Sequence, residues 1–119
     1  MATVTIAGLA PDYESVNGTL EITRRLSDKV LAAFNHAYAT GETDVADKLK
    51  SVLKTTESRR PKGDQRVRYD AVVHAELWVG FVDARDRYRQ VSEDKRAKAD
   101  AVEAALRDMK AAYRAWSEI

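Results

Sequence analysis

Two histidines, His36 and His74, are the side chains of this 119-residue sequence best suited to proton transfer or metal binding. Di-metal helical proteins place an acid three residues before each metal-binding histidine, but Ala33 and Ala71 stand at those positions. Asp70 lies four residues before His74, so the two side chains would share one face of a helix. This spacing predicts a partly buried histidine oriented by a carboxylate. The alternative is a proton-transfer or ligand-anchoring residue in a pocket.

Sequence motifs of catalytic nucleophiles and of nucleotide binding are absent. The chain has no cysteine, no Gly-x-Ser-x-Gly, no phosphate-binding loop and no Gly-x-Gly-x-x-Gly. These absences favour a non-catalytic protein, although an active site assembled from distant residues would leave no motif. We expect no metal and no cofactor. A chain without cysteine fits a reducing compartment, so we expect a cytoplasmic protein.

Positive charge is concentrated in one segment of the chain. Residues 59–70 hold five basic and two acidic residues, whereas the whole chain has a formal net charge of +1. The basic side chains surround a Pro-Lys-Gly turn and are Arg59, Arg60, Lys62, Arg66 and Arg68. A solvated loop is the simpler interpretation. The alternative is that the loop contacts the phosphates of a nucleic acid or an acidic protein surface.

Aromatic residues gather in two stretches of the second half of the chain. They are Tyr69, Trp78, Phe81, Tyr88, Tyr113 and Trp116. Packing in the core is the simpler expectation for all of them. Trp78 lies off the main apolar stripe, and Gly80 beside it permits close approach by another backbone. We therefore place Trp78 and Trp116, with Asp70 and His74, at a possible pocket or interface.

Helical periodicity predicts that these side chains are carried by four helices. Their expected extents are residues 17–40, 44–56, 66–91 and 93–118. The third is apolar nearly all round between Val67 and Val91, which predicts a buried central helix. Its stripe continues through Lys95 to Ala99, so one helix of about 50 residues is the alternative to a bend near residues 91–93. Because Ser92 offers a cap oxygen, we favour the bend.

The first two helices are expected to form an αα-hairpin. Gly41 suits the end of the first helix, and Thr43 or Asp44 can cap the second. Residues 37–41, with the later Ala46, resemble the turn of a tetratricopeptide repeat, in which a glycine and then a small alanine recur at this spacing. No second copy follows at a period of 34 residues, so the resemblance implies a shared hairpin geometry and not a repeat array.

The sequence as a whole predicts an all-α protein. We expect an antiparallel four-helix bundle over residues 16–119, made of the αα-hairpin and two longer helices, after a short non-helical arm over residues 1–15. The expected function is a non-catalytic protein–protein interaction module, an adaptor or regulatory protein, that self-associates as a homodimer. The alternatives are a nucleic-acid-associated protein using the basic loop 59–68 and a small-molecule or metal binder around His74. No apolar run reaches about 20 residues, so no membrane partner is expected.

Overall fold

The described part of the chain consists of four α-helices. The structure, a computed structural model, describes residues 16–59 and 70–118, with side chains from residue 25 onwards. The helices are α1 (Val16–Ala39), α2 (Thr43–Ser58), α3 (Ala71–Glu93) and α4 (Ala99–Ser117), and these residues contain no strand. The expected all-helical fold is thereby confirmed. The predicted arm, residues 1–15, lies outside the described residues.

A tight turn that depends on Gly41 joins α1 to α2. The Glu42 N–H donates to the Ala37 carbonyl at 2.9 Å, and the Gly41 N–H donates to the Tyr38 carbonyl at 3.2 Å. This pair of bonds is the Schellman motif, which requires a residue with positive φ. Gly41 has a φ of +86°, a conformation that side chains with a Cβ rarely adopt. The predicted role of Gly41 at the helix end is confirmed.

Two predicted helix caps are wrong. Thr43 is the first residue of α2 and the preceding N-cap is Glu42, whose side chain makes no capping hydrogen bond. Asp44 instead lies in the first turn, where its carboxylate favours the positive end of the helix dipole. Ser92 lies inside α3, and its hydroxyl donates to the Arg89 carbonyl at 3.1 Å. The hairpin turn already fixes where α2 begins, so no side-chain cap is needed there.

A short turn separates α3 from α4. The Asp94 carboxylate accepts the Arg96 N–H at 2.9 Å, and the Asp94 carbonyl accepts the Ala97 N–H at 3.1 Å. An aspartate that bonds to the backbone two residues later stabilises a turn in place of another helical turn. The alternative of one continuous helix is therefore wrong. The break falls over residues 94–98, slightly later than the predicted bend.

α3 is the helix that packs against all three of the others. α1 packs against α2 and both contact α3, whereas α4 contacts α3 but neither α1 nor α2 within the described residues. Asn35 of α1 contacts Trp78 of α3, and Ala39, one turn later in α1, contacts Arg85, which is also later in α3. These two helices therefore run in the same direction. Because Arg85 lies beside the last residue of α1, the final turns of α3 extend beyond α1.

The core lies between α1, α2 and the first half of α3. Its buried side chains are Leu31, Phe34, Ala37, Ala46, Leu53, Ala71 and Ala75. The alanines among them allow the helices to approach closely. One polar pair is buried beside this core: the hydroxyls of Ser27 and Thr56 are 2.8 Å apart. Since the Thr56 hydroxyl also donates to a backbone carbonyl of α2 at 2.9 Å, Ser27 is the donor to Thr56 and both hydroxyls are satisfied.

Within residues 16–59 and 70–118, α3 is covered on two sides and open on a third. Its buried positions are Ala71, Ala75 and Val82. Other apolar positions of this helix stay partly exposed: Val73, Leu77, Trp78 and Phe81. α3 is the central helix, as predicted, because α1, α2 and α4 all contact it, but it is buried at only a few positions and not nearly all round. The physical reason is that the α1–α2 pair and α4 each require an apolar strip on α3, and the two strips together resemble a full circumference.

The core assignment predicts a large difference between two adjacent residues of α2. Leu53→Ala should lower the free energy of unfolding by about 2–5 kcal/mol, because it leaves a cavity at a fully buried position. Lys54→Ala is the control, since Lys54 is exposed and the change should cost about 0.5 kcal/mol or less. Urea unfolding followed by circular dichroism measures both variants. Equal destabilisation would contradict the described orientation of α2.

Candidate functional site

An aromatic cluster joins α3 to α4. The rings belong to His74, Trp78 and Phe81 of α3 and to Tyr113 and Trp116 of α4. Spacings of three and four residues keep them on one side of each helix. The centroids of Trp78 and Trp116 are 4.8 Å apart, and those of Phe81 and Tyr113 are 5.5 Å apart. The later α3 ring pairs with the earlier α4 ring, so the two helices are antiparallel at this cluster.

Trp78 belongs to both the core and the aromatic cluster. Its indole N–H donates to the Asn35 carbonyl of α1 at 2.8 Å, and its ring packs against the core residues. The same ring contacts Phe81 at a centroid distance of 5.3 Å. This double role explains why Trp78 lies off the main apolar stripe: it stands at the boundary between the two strips of α3. The structure thus brings Trp78, Trp116 and His74 together, and their role at a pocket or interface stays a prediction.

Asp70 has a structural role at the start of α3. Its carboxylate accepts the N–H groups of Val72 at 2.8 Å and Val73 at 3.3 Å, which makes it the N-cap of the helix. Such a cap contributes about 1 kcal/mol to helix stability. The expected neighbour His74 is joined to Asp70 through the backbone, by an N–H to carbonyl bond of 2.9 Å.

His74 is half-buried against Trp116, with their ring centroids 5.6 Å apart. Burial lowers the pKa of His74 below its ordinary value of 6.5, because the charged form loses hydration. The imidazole is therefore neutral at pH 7. Within residues 25–59 and 70–118, no three His, Cys, Asp or Glu side chains are placed to hold a metal ion.

The basic loop is described only at its first residue. Arg59 is exposed and follows the last turn of α2, where its N–H donates to the Thr56 carbonyl at 3.3 Å. The other predicted phosphate-contacting residues lie outside the described residues: Arg60, Lys62, Arg66 and Arg68. Nucleic-acid binding by this loop stays a prediction.

A polar contact between α1 and α3 was not predicted from the sequence. The Tyr38 hydroxyl donates to the Asp83 carboxylate at 2.8 Å. Burial, followed by this hydrogen bond and the negative charge of Asp83, raises the pKa of Tyr38 to about 12. Beside it, the Arg85 guanidinium donates to the Ala39 carbonyl at 3.0 Å, at the negative end of α1. The partners lie 45 and 46 residues apart, a distance over which helical spacing carries no information.

An open groove lies beside the aromatic cluster, between α3 and α4. It has a volume of about 540 Å³. Its lining residues are Phe81, Met109, Lys110, Tyr113, Arg114, Ser117 and Glu118. Its apolar members are Phe81, Met109 and Tyr113, and its charged members, all on the α4 side, are Lys110, Arg114 and Glu118. We predicted from the sequence that Phe81 and Tyr113 pack in the core, whereas Tyr113 is 50% exposed in the structure. We name this surface the α3/α4 groove.

Comparison with known proteins adds no relative. No protein-family model, curated protein or solved structure matches this chain. Among the described helices, none combines the length and apolar character that a bilayer crossing needs. The features from which a function can be inferred are therefore the aromatic cluster and the exposed apolar surfaces.

The burial of His74 predicts a loss of stability in mild acid. Its folded-state pKa is lowered, so its contribution is fully present above pH 6.5 and is lost as the pH falls, since the unfolded chain takes up the proton more readily. His74→Gln should flatten the fall in melting temperature between about pH 7 and pH 5. An unchanged slope in His74→Gln would contradict this assignment.

The contact of Tyr38 with Asp83 predicts a late tyrosine titration. Ultraviolet absorbance should show a tyrosinate signal with its midpoint near pH 12, and Tyr38→Phe should remove it. Because the folded-state pKa is raised from 10.0, the stabilisation is present below pH 10 and is lost as the pH rises towards 12. Asp83→Asn should move the signal to lower pH. Asp86→Asn, which removes a weaker effect, should move it less.

Proposed function

We propose that this protein is a non-catalytic helical interaction module, an adaptor or regulatory protein, that self-associates as a homodimer. Its four helices form a bundle in which helices adjacent in sequence run antiparallel. The observation that supports this function is the exposure of large apolar side chains on the α1–α2 hairpin, on α3 and on α4. They are Leu26 (49% exposed), Val45 (41%), Val52 (46%), Val73 (40%) and Tyr113 (50%). Contiguous exposed apolar surface is typical of binding surfaces.

The first face lies on the α1–α2 hairpin, on the side away from α3. Lys50 and Glu57 mark the side of α2 that contacts α3, through Glu76 and the start of the helix. Val52 stands about 200° around the helix from Lys50, at 100° per residue, so it is on the opposite side. Leu26 stands about 180° around α1 from Asn35, at 100° per residue. Because the Asn35 carbonyl accepts the Trp78 N–H, Leu26 is also on the side away from α3. Nothing in the described residues covers this hairpin face.

Self-association through the hairpin face would bury Leu26, Val45 and Val52. Two copies related by a two-fold axis would pack α1 and α2 of each chain together as four helices, the closed arrangement that homodimers commonly adopt. The aromatic cluster is not proposed as this interface, because Trp78 and Trp116 already pack against each other within one chain.

The proposed dimer predicts a mass that depends on the hairpin face. Sedimentation equilibrium should give twice the chain mass of 13.3 kDa at micromolar concentrations. Val52→Asp should restore 13.3 kDa, because a carboxylate would be buried without a partner. Tyr113→Asp is the matched control, since it adds the same charge at an equally exposed apolar position on α4 and should leave the dimer intact.

Two outcomes would contradict this proposal in different ways. A mass of 13.3 kDa for the parent over the whole concentration range would exclude self-association. A dimer that dissociates in Tyr113→Asp and persists in Val52→Asp would move the interface from the hairpin to α4.

A further inference from the structure

The α3/α4 groove has apolar lining residues that the described part of the chain leaves open. Phe81 of α3 and Tyr113 of α4 pack edge to face, and Met109 lies one turn before Tyr113. Tyr113 is half exposed although it takes part in this packing. α4 has no helical neighbour other than α3 in the described residues, so no part of them closes the groove.

A second depression lies along α4, towards its N-terminus. It has a volume of about 360 Å³, and its described lining residues all belong to α4: Glu103, Leu106, Arg107, Lys110, Ala111 and Arg114. Lys110 and Arg114 line both depressions, so the two form one surface from residue 103 to residue 118. At about 1.5 Å per residue this surface is about 22 Å long, the length of a helix of about four turns.

One edge of this surface is basic. Arg107, Lys110 and Arg114 are three and four residues apart, so they follow one another along the same side of α4, and all three are exposed. The acidic residues of the surface, Glu103 and Glu118, stand at its two ends. The ion pair between Arg114 and Glu118 has an N–O distance of 4.0 Å with both side chains at least 70% exposed, so it neutralises little of this charge.

Gly80 directly precedes Phe81 in α3 and is exposed, but it is not among the lining residues of either depression. A Cβ at Gly80 would meet no atom within 4 Å. Within the described residues, no other backbone closely approaches this position, so Gly80 adds nothing to the groove.

We propose that the α3/α4 groove binds an amphipathic helix of a partner protein, with acidic residues along one flank. The apolar stripe of that helix would lie on Phe81, Met109 and Tyr113, and its carboxylates would face Arg107, Lys110 and Arg114. This inference rests on the proposed function as an interaction module and names the partner's chemistry. A second copy fits the groove poorly, because a two-fold axis there would bring two basic edges together.

A displayed library of random helical peptides of about 16 residues tests this inference. The library is selected on the full chain and counter-selected on Tyr113→Asp. The recovered peptides should carry apolar residues at helical spacing with Asp or Glu on one flank. Recovery of basic or non-amphipathic peptides, or no enrichment over the counter-selection, would overturn the proposal.

Variants then locate the binding of a recovered peptide. Arg107→Gln with Lys110→Gln should weaken binding at least tenfold and reduce its dependence on salt. Val52→Asp, on the hairpin face, should leave peptide binding unchanged. Equal binding by the double variant and the parent would show that the groove is not the site.

The two proposals can fail separately. A parent chain that is monomeric but still selects acidic amphipathic peptides contradicts self-association and supports the groove. A parent chain that is dimeric but selects no such peptide contradicts the groove and leaves the dimer.

Discussion

Trp78 is the side chain through which the two parts of the described structure contact each other. Its indole N–H donates to the Asn35 carbonyl, and its ring contacts Trp116. A buried indole N–H without an acceptor would cost about 1–3 kcal/mol, so the position of α1 constrains the orientation of Trp78. The ring in turn fixes where Trp116 and the end of α4 can lie. The core of α1, α2 and α3 and the cluster of α3 and α4 therefore share one residue.

The number and approximate extents of the helices could be predicted because each helix carries an apolar stripe at helical spacing. The neighbours of α3 could not be predicted. Periodicity shows how much of a helix is apolar, but it does not show which helix covers each strip. The break before α4 was nearly located, yet Ser92 and Asp94 are both able to cap a turn, and only the contact of Asp94 with Arg96 distinguishes them.

The candidate site was predicted in part for the same reason. His74, Trp78 and Trp116 lie at positions that helical spacing brings to one side of their helices, so their proximity follows once α3 and α4 pair. The contacts of α1 with α3 could not be found this way, since Tyr38 and Asp83 are brought together only by the tertiary arrangement. The open groove was also missed, because an aromatic residue such as Tyr113 has the same pattern in a core and on a binding surface.

The single attachment of α4 has a consequence for the unfolding of the chain. Each of α1 and α2 contacts two other helices, whereas α4 contacts only α3 within the described residues. Detaching α4 therefore disrupts the aromatic cluster but leaves the buried core of the other helices in place. We expect two cooperative units, with α4 opening at a lower free energy than global unfolding. Its amide hydrogens would then exchange with solvent through this partial opening, before those of α1 and α2.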